Sequence, residues 1–164
     1  MIEQFIPQEF CLRCKGCCCF KEQESLWQPH LTDHDIEILM RHNFPPALIS
    51  SDKRLMAVSG NEAMPFVCSV LGIDDHKCKA YQVRPFECQL YPFLLTSRNG
   101  GIFLAVDPHC AFVDAPGNAH IIEKAQKDVC RLFHRMAGKA FLIRNQHLFF
   151  DYPDVRICCR LDAE

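Results

Sequence analysis

The chain has 164 residues, 49% hydrophobic and 23% charged, with a net charge of −2. That is the composition of one folded domain, 1–164, and it excludes a disordered chain. The near-neutral balance argues against nucleic-acid binding, which needs a basic surface, and no apolar run approaches the roughly 18 residues of a membrane span.

The opening residues Met1-Ile2-Glu3-Gln4 lack a basic region and an apolar core, so no secretory signal and a cytoplasmic location are expected. The first feature along the chain is a run of cysteines, CLRCKGCCCF, from Cys11 to Phe20. Twelve cysteines occur in all. In a reducing compartment such a density points to metal ligands or redox groups rather than disulfide staples. CxxC spacing lets two thiolates converge on one ion across a tight turn, which Gly16 eases. Adjacent cysteines cannot easily share one tetrahedral ion, so Cys17 and Cys18 are assigned to different centres.

A helix is expected from Thr32-Asp33-His34-Asp35, with Thr32 capping and Asp35 as the capping-box acid. Ile36, Leu39 and Met40 give it an apolar face, and Asn43-Phe44-Pro45-Pro46 ends it. Arg54–Ser59 and Pro65–Leu71 are strand candidates, followed by a turn over Gly72–His76. The second cysteine group is Cys68, Cys78 and Cys88, with Cys110 beyond. Within it, Arg84-Pro85 and Tyr91-Pro92 each stop a helical turn and fix the loop that presents Cys88. Tyr81, Phe86, Tyr91 and Phe93 are expected to wall a site, to serve as ordinary core, or both.

Phe93–Ser97 and Ile102–Val106 flank Arg98-Asn99-Gly100-Gly101 and form the clearest hairpin pattern in the chain. From Asn118 to about Phe141 the pattern is helical, with Ile121, Ile122, Ala125, Val129, Leu132, Phe133 and Met136 on one stripe. Cys130 falls near that stripe and fits a small buried hydrophobe. Leu148-Phe149-Phe150 and Arg156-Ile157-Cys158-Cys159 are edge-strand candidates. The class is therefore α+β: a small antiparallel sheet with a helix before it and a long helix after it, its loops organised by a cysteine-ligated metal centre. The metal-binding region covers about 10–110, and the C-terminal helix and tail about 115–164.

The cysteine pattern resembles that of the YkgJ-type cysteine-cluster family, the CxxCxxCC domain described as zinc- or iron-chelating. The residues that carry the resemblance are Cys11, Cys14, Cys17, Cys18, then Cys68, Cys78, Tyr81, Arg84, Pro85, Cys88, Tyr91, Pro92, Phe93 and finally Cys110. They span about Phe10 to Cys110. The chain departs from the family at Lys15, Cys19, Gln89 and Ala111-Phe112. The resemblance implies a metal ligand set of Cys11, Cys14, Cys17, Cys18, Cys68, Cys78, Cys88 and Cys110. The family also includes flagellin lysine methylases, but nothing else in the chain matches an S-adenosylmethionine site, so that activity is not carried over.

Eight thiolates divide into two four-thiolate centres, either zinc or iron–sulfur. The dense thiols, with no histidine in the pattern, tilt the choice to iron–sulfur. Arg13, Lys15, Lys21, Lys77, Lys79 and Arg84 lie beside the cysteines and can offset the negative charge of such centres. Cys19 is a candidate for a spare or exchanging ligand, and the Cys158-Cys159 pair for an extra ligand or a redox-active group. His76 and His109 are the histidines nearest the pattern, both also suited to polar loops. The expected role is structural or electron transfer, through a protein partner. A metal-dependent redox or group-transfer enzyme and a zinc or iron carrier are the alternatives.

Overall fold

The computed structural model describes residues 5–14, 16 and 18–162. The chain divides into two compact units, one of residues 6–89 and one from Leu90 onward together with Phe5. Each has its own three-stranded antiparallel sheet, which is the α+β class expected.

The first unit opens with α1 (Gln8–Arg13), then β1 (Cys19–Phe20), α2 (Asp33–Arg41), β2 (Ala57–Asn61), β3 (Met64–Cys68) and most of α3 (Phe86–Leu90). α1 was not foreseen, since a tight turn was expected around the CxxC. Helix α2 starts as its sequence requires. The Thr32 hydroxyl accepts from Asp35 N–H at 3.0 Å, while the Asp35 carboxylate accepts from Thr32 N–H at 2.8 Å. This reciprocal box satisfies two amides that a helix start otherwise leaves open. Helix α2 buries Leu39, half-buries Ile36 and leaves Met40 exposed. It ends at Arg41, before Asn43 turns the chain with φ 62°.

Strand β3 runs between β1 and β2. Cys19 pairs with Val67, and Ala57 with Cys68. The core of this unit gathers Phe20, Leu31, Leu39, Leu55, Val67 and Leu71, all buried. The expected strand at Arg54–Ser59 begins later, at Ala57, because Arg54 and Leu55 instead bridge to His30 and Ile49.

The second unit holds β4 (Phe93–Arg98), β5 (Gly101–Val106), α4 (Ala111–Asp114), α5 (Ala119–His134), α6 (Met136–Arg144) and β6 (Arg156–Arg160). The hairpin forms where the sequence places it. Asn99 and Gly100 take φ 50° and 75°, the two positive values that a two-residue type I′ turn needs to match strand twist. Strand β5 is central, with β4 and β6 on either side. Of the two tail candidates, Arg156–Cys159 lies in β6, whereas Leu148 ends a 3-10 turn over Gln146–Leu148 and Phe150 makes a single bridge to Thr96.

The single long helix expected from Asn118 breaks at Arg135, whose ψ of 158° is extended. The break folds α6 back onto the end of α5, burying Leu142 and bringing Phe141 to 6.1 Å from Phe133. Gly138 makes this close approach possible, because a Cβ there would run into the backbone of Leu132 and Phe133. Ile122, Ala125, Val129 and Phe133 form the buried stripe, whereas Leu132 and Met136 are exposed. The other correction falls on Cys130 and Cys159. They are joined in a disulfide with Cα atoms 6.6 Å apart, tying α5 to β6. Cys130 is therefore a cross-link rather than a lone hydrophobe, and Cys159 is not a spare ligand. A register shift at Leu104/Ala105 makes Cys158 an extra residue in β6, separate from this bond.

Candidate metal centre

The cysteine segments of the first unit are drawn together by its small sheet. Cys11 lies on α1 and is half-buried. Cys14 ends that helix, its N–H shared between the carbonyls of Phe10 at 3.1 Å and Cys11 at 3.2 Å. Its Sγ lies 3.5 Å from where a side chain on Gly16 would begin, so the missing side chain leaves room around this thiol. Cys19 N–H donates to Gly16 O at 3.1 Å. Cys17, the third cysteine of the pattern, lies outside the described residues.

The chain then meets the second group. Cys68, buried on β3, donates its N–H to Cys18 O at 2.9 Å. Leu71 N–H donates to Cys68 O at 2.9 Å, Leu71 bridges to Cys78, and Cys78 O accepts from Tyr81 N–H at 3.2 Å. Cys18, Cys19 and Cys78 pack against the core cluster that contains Cys68. Residues fifty positions apart in sequence thus share one small region. The thiol of Cys19 approaches the Met64 sulfur at 3.3 Å, which gives it a contact apart from the others.

Cys88 rides on α3, and two buried or half-buried acids hold that helix. Asp35 Oδ1 accepts from Phe86 N–H at 3.0 Å while its other oxygen completes the α2 box. Glu87 Oε2 accepts from His30 N–H at 2.7 Å and lies 3.5 Å from His30 Nδ1. Sequence reasoning found Asp35 as a cap but not its second bond. Nor did it single out Glu87, since neither partner is close in sequence. The Arg84-Pro85 step works as expected. A 3-10 turn ends at Val83, and Pro85 O accepts from Gln89 N–H at 3.0 Å as α3 begins. Arg84 stacks over the Tyr81 ring at 4.3 Å.

Cys110 belongs to the second unit, where it is buried at the start of α4. The loop leading to it is fixed by Asp107, another residue that sequence reasoning passed over. Its carboxylate accepts from Tyr91 O–H at 2.8 Å and from His109 N–H at 2.8 Å, and its own N–H donates to Pro92 O at 2.9 Å. Tyr91 and Pro92 of the motif therefore anchor this loop. Phe93 is fully buried core, with Phe5 at 5.5 Å. His109 is exposed. Of the basic residues expected to offset charge, Lys77 is exposed and near Asp75 at 3.9 Å.

Nine cysteines of the described residues stand outside disulfides: Cys11, Cys14, Cys18, Cys19, Cys68, Cys78, Cys88, Cys110 and Cys158. Cys158 is distinct in character, since burial pushes its thiol up to about 11, only partly offset by the charge of Arg156. No three His, Cys, Asp or Glu side chains among the described residues stand in a metal-holding group. The donor chemistry nevertheless fits zinc or iron, both of which take cysteine sulfur and imidazole nitrogen. A second observation agrees: His76 Nδ1 is a buried ring nitrogen with no hydrogen-bond partner among the described residues.

These features define a cysteine-rich α+β protein in which backbone hydrogen bonds join two cysteine-bearing segments distant in sequence. The chain belongs to the CxxCxxCC family, whose model, "Putative zinc- or iron-chelating domain", matches residues 10–147. No curated protein and no solved structure matches the chain at a significant level. No described helix is long and apolar enough to cross a membrane.

Proposed function

We propose that the chain holds zinc or an iron–sulfur cluster through cysteine thiolates, in a structural or electron-transfer role exerted on a protein partner in the cytoplasm. The observation that carries this reading is the hydrogen bond from Cys68 N–H to Cys18 O at 2.9 Å, which pins the first cysteine run to the second. The packing of Cys18 and Cys78 against the core cluster that contains Cys68 supports it further. The proposed ligands are Cys11, Cys14, Cys17, Cys18, Cys68, Cys78 and Cys88, with Cys110 included on the motif alone. A bound ion or cluster would supply a rigid cross-link between these loops, or a redox couple in the case of iron–sulfur. The protein's part is to present the sulfurs. The α1 end orients Cys14, the end of the central strand β3 orients Cys68, and the Asp35 and Glu87 carboxylates hold the helix that carries Cys88.

The test is substitution of Cys14 and Cys88 singly by serine, with metal content and soluble yield measured after anaerobic purification. Both variants are expected to lose metal and solubility together, because metal binding and folding are coupled. Full metal loading with unchanged thermal stability in both would remove them from the ligand set.

A further inference from the structure

His76 occupies a closed turn between two cysteines. Gly72 N–H donates to Lys77 O at 2.8 Å, Lys77 N–H to Asp75 Oδ1 at 3.1 Å, and Lys79 N–H to Val70 O at 2.9 Å. His76 itself adopts φ 53°, the left-handed region that few residues other than glycine enter freely. The turn carries its ring to Cys14, with Nε2 at 3.2 Å from the Cys14 carbonyl oxygen. Residues 62 positions apart are joined by that one contact.

The contact fixes the tautomer. A carbonyl oxygen only accepts, so Nε2 carries the hydrogen, and in the neutral ring Nδ1 keeps its lone pair. Nδ1 is buried and has no hydrogen-bond partner among the described residues. A buried lone pair with no donor is costly unless something electrophilic meets it. Metal-bound histidines have this arrangement: one nitrogen on the metal, the other N–H given to a carbonyl or carboxylate that orients the ring. The ring meets the Cys14 carbonyl, and Cys78 lies two residues further along the chain.

We propose that His76 is a metal ligand through Nδ1, making one centre of the cluster a mixed sulfur and nitrogen site rather than an all-thiolate one. This rests on the metal-binding reading above. A neutral imidazole in place of a thiolate makes a zinc centre one unit less negative. At an iron–sulfur centre, histidine in place of cysteine raises the reduction potential. The backbone carbonyl of Cys14 is the orienting group, so the same residue offers a sulfur and positions the nitrogen.

The experiment uses the full chain, reconstituted anaerobically with cadmium-113 and labelled with nitrogen-15 in its histidine rings. Cadmium is a soft, thiolate-seeking probe, and its nuclear spin splits the signal of any nitrogen bonded to it. The expected result is one ring nitrogen split by cadmium, assigned to Nδ1 of His76 in the wild-type chain. His76→Gln should lose that splitting and hold cadmium at least tenfold more weakly against a chelator, whereas His109→Gln should keep both. Bound cadmium with no split histidine signal overturns the proposal, as does a split signal assigned to another histidine. Because the assignment is made on the wild type, a variant that fails to fold leaves the test intact. A chain that binds neither cadmium, zinc nor iron would instead overturn the metal-binding reading, and this proposal with it.

Discussion

Replacing Asp35 by alanine tests how the Cys88 helix is held. Asp35 is buried, and its carboxylate accepts from Thr32 N–H at 2.8 Å, the Thr32 hydroxyl at 2.7 Å and Phe86 N–H at 3.0 Å. The Thr32 hydroxyl keeps its role as acceptor of the residue 35 amide, so the first half of the cap survives. Two backbone donors, Thr32 N–H and Phe86 N–H, lose their acceptor. Each buried donor left unmade costs about 1–3 kcal/mol, and the better helix propensity of alanine returns about 0.5 kcal/mol. The expected loss is therefore about 1.5–5.5 kcal/mol. Asp33→Ala on the same helix is the control, since its bond to Lys53 at 2.6 Å is exposed and worth about 1 kcal/mol or less. The assay is urea unfolding followed by the fluorescence of Trp27, the one tryptophan, which packs against the core of the first unit. Metal content measured on the same variant reports whether loosening α3 releases Cys88. A loss below about 1 kcal/mol, no greater than that of Asp33→Ala, would refute the argument that Asp35 links the two helices.

Reduction of the Cys130–Cys159 bond opens a loop with a sequence separation of 29. Chain entropy assigns it about 3.5 kcal/mol, so Cys130→Ser with Cys159→Ser should lower the melting temperature by about 10 °C, and an unchanged temperature by calorimetry would contradict this. The Cys158 thiol, held at about 11 by burial, should alkylate with iodoacetamide at pH 8 far more slowly in the folded chain than in the unfolded one. The sign for stability follows from the same shift. The unfolded chain loses this proton first as pH rises through its usual value of 9.0, so stability should fall between about pH 9 and about pH 11, and a Cys158→Ala variant should lose that slope. Gly138→Ala places a Cβ against the backbone of Leu132 and Phe133 and should cost about 1–3 kcal/mol in thermal unfolding.

What could be foreseen from the sequence was local. The capping box at Thr32 and Asp35 uses residues three apart, and the Asn99-Gly100 turn needs only its own φ values, so both appear as expected. The break at Arg135 has no proline to announce it. It exists because Gly138 permits a helix contact that buries Leu142, and a tertiary contact of this kind overrides the continuous helical pattern. The pairing of Cys130 with Cys159 could not be derived, since cysteine spacing does not encode connectivity. The cysteine residues of the candidate site stand out in the sequence by type, but their supports do not. Asp35 with Phe86, Glu87 with His30, Asp107 with Tyr91 and His76 with Cys14 are all bonds between distant positions. Polar side chains of this kind are common on surfaces, and only the fold shows that these four meet a buried or half-buried partner.

The central claim, thiolate-held metal, is tested most directly by metal analysis and a visible spectrum on one anaerobically purified sample of the intact chain. The account predicts either iron with acid-labile sulfide and a broad band near roughly 400 nm, or about two zinc per chain without colour. The first outcome would direct attention to a reduction potential and an electron partner, the second to a structural or carrier role. A folded protein containing neither metal, with its cysteines paired as disulfides, would contradict it.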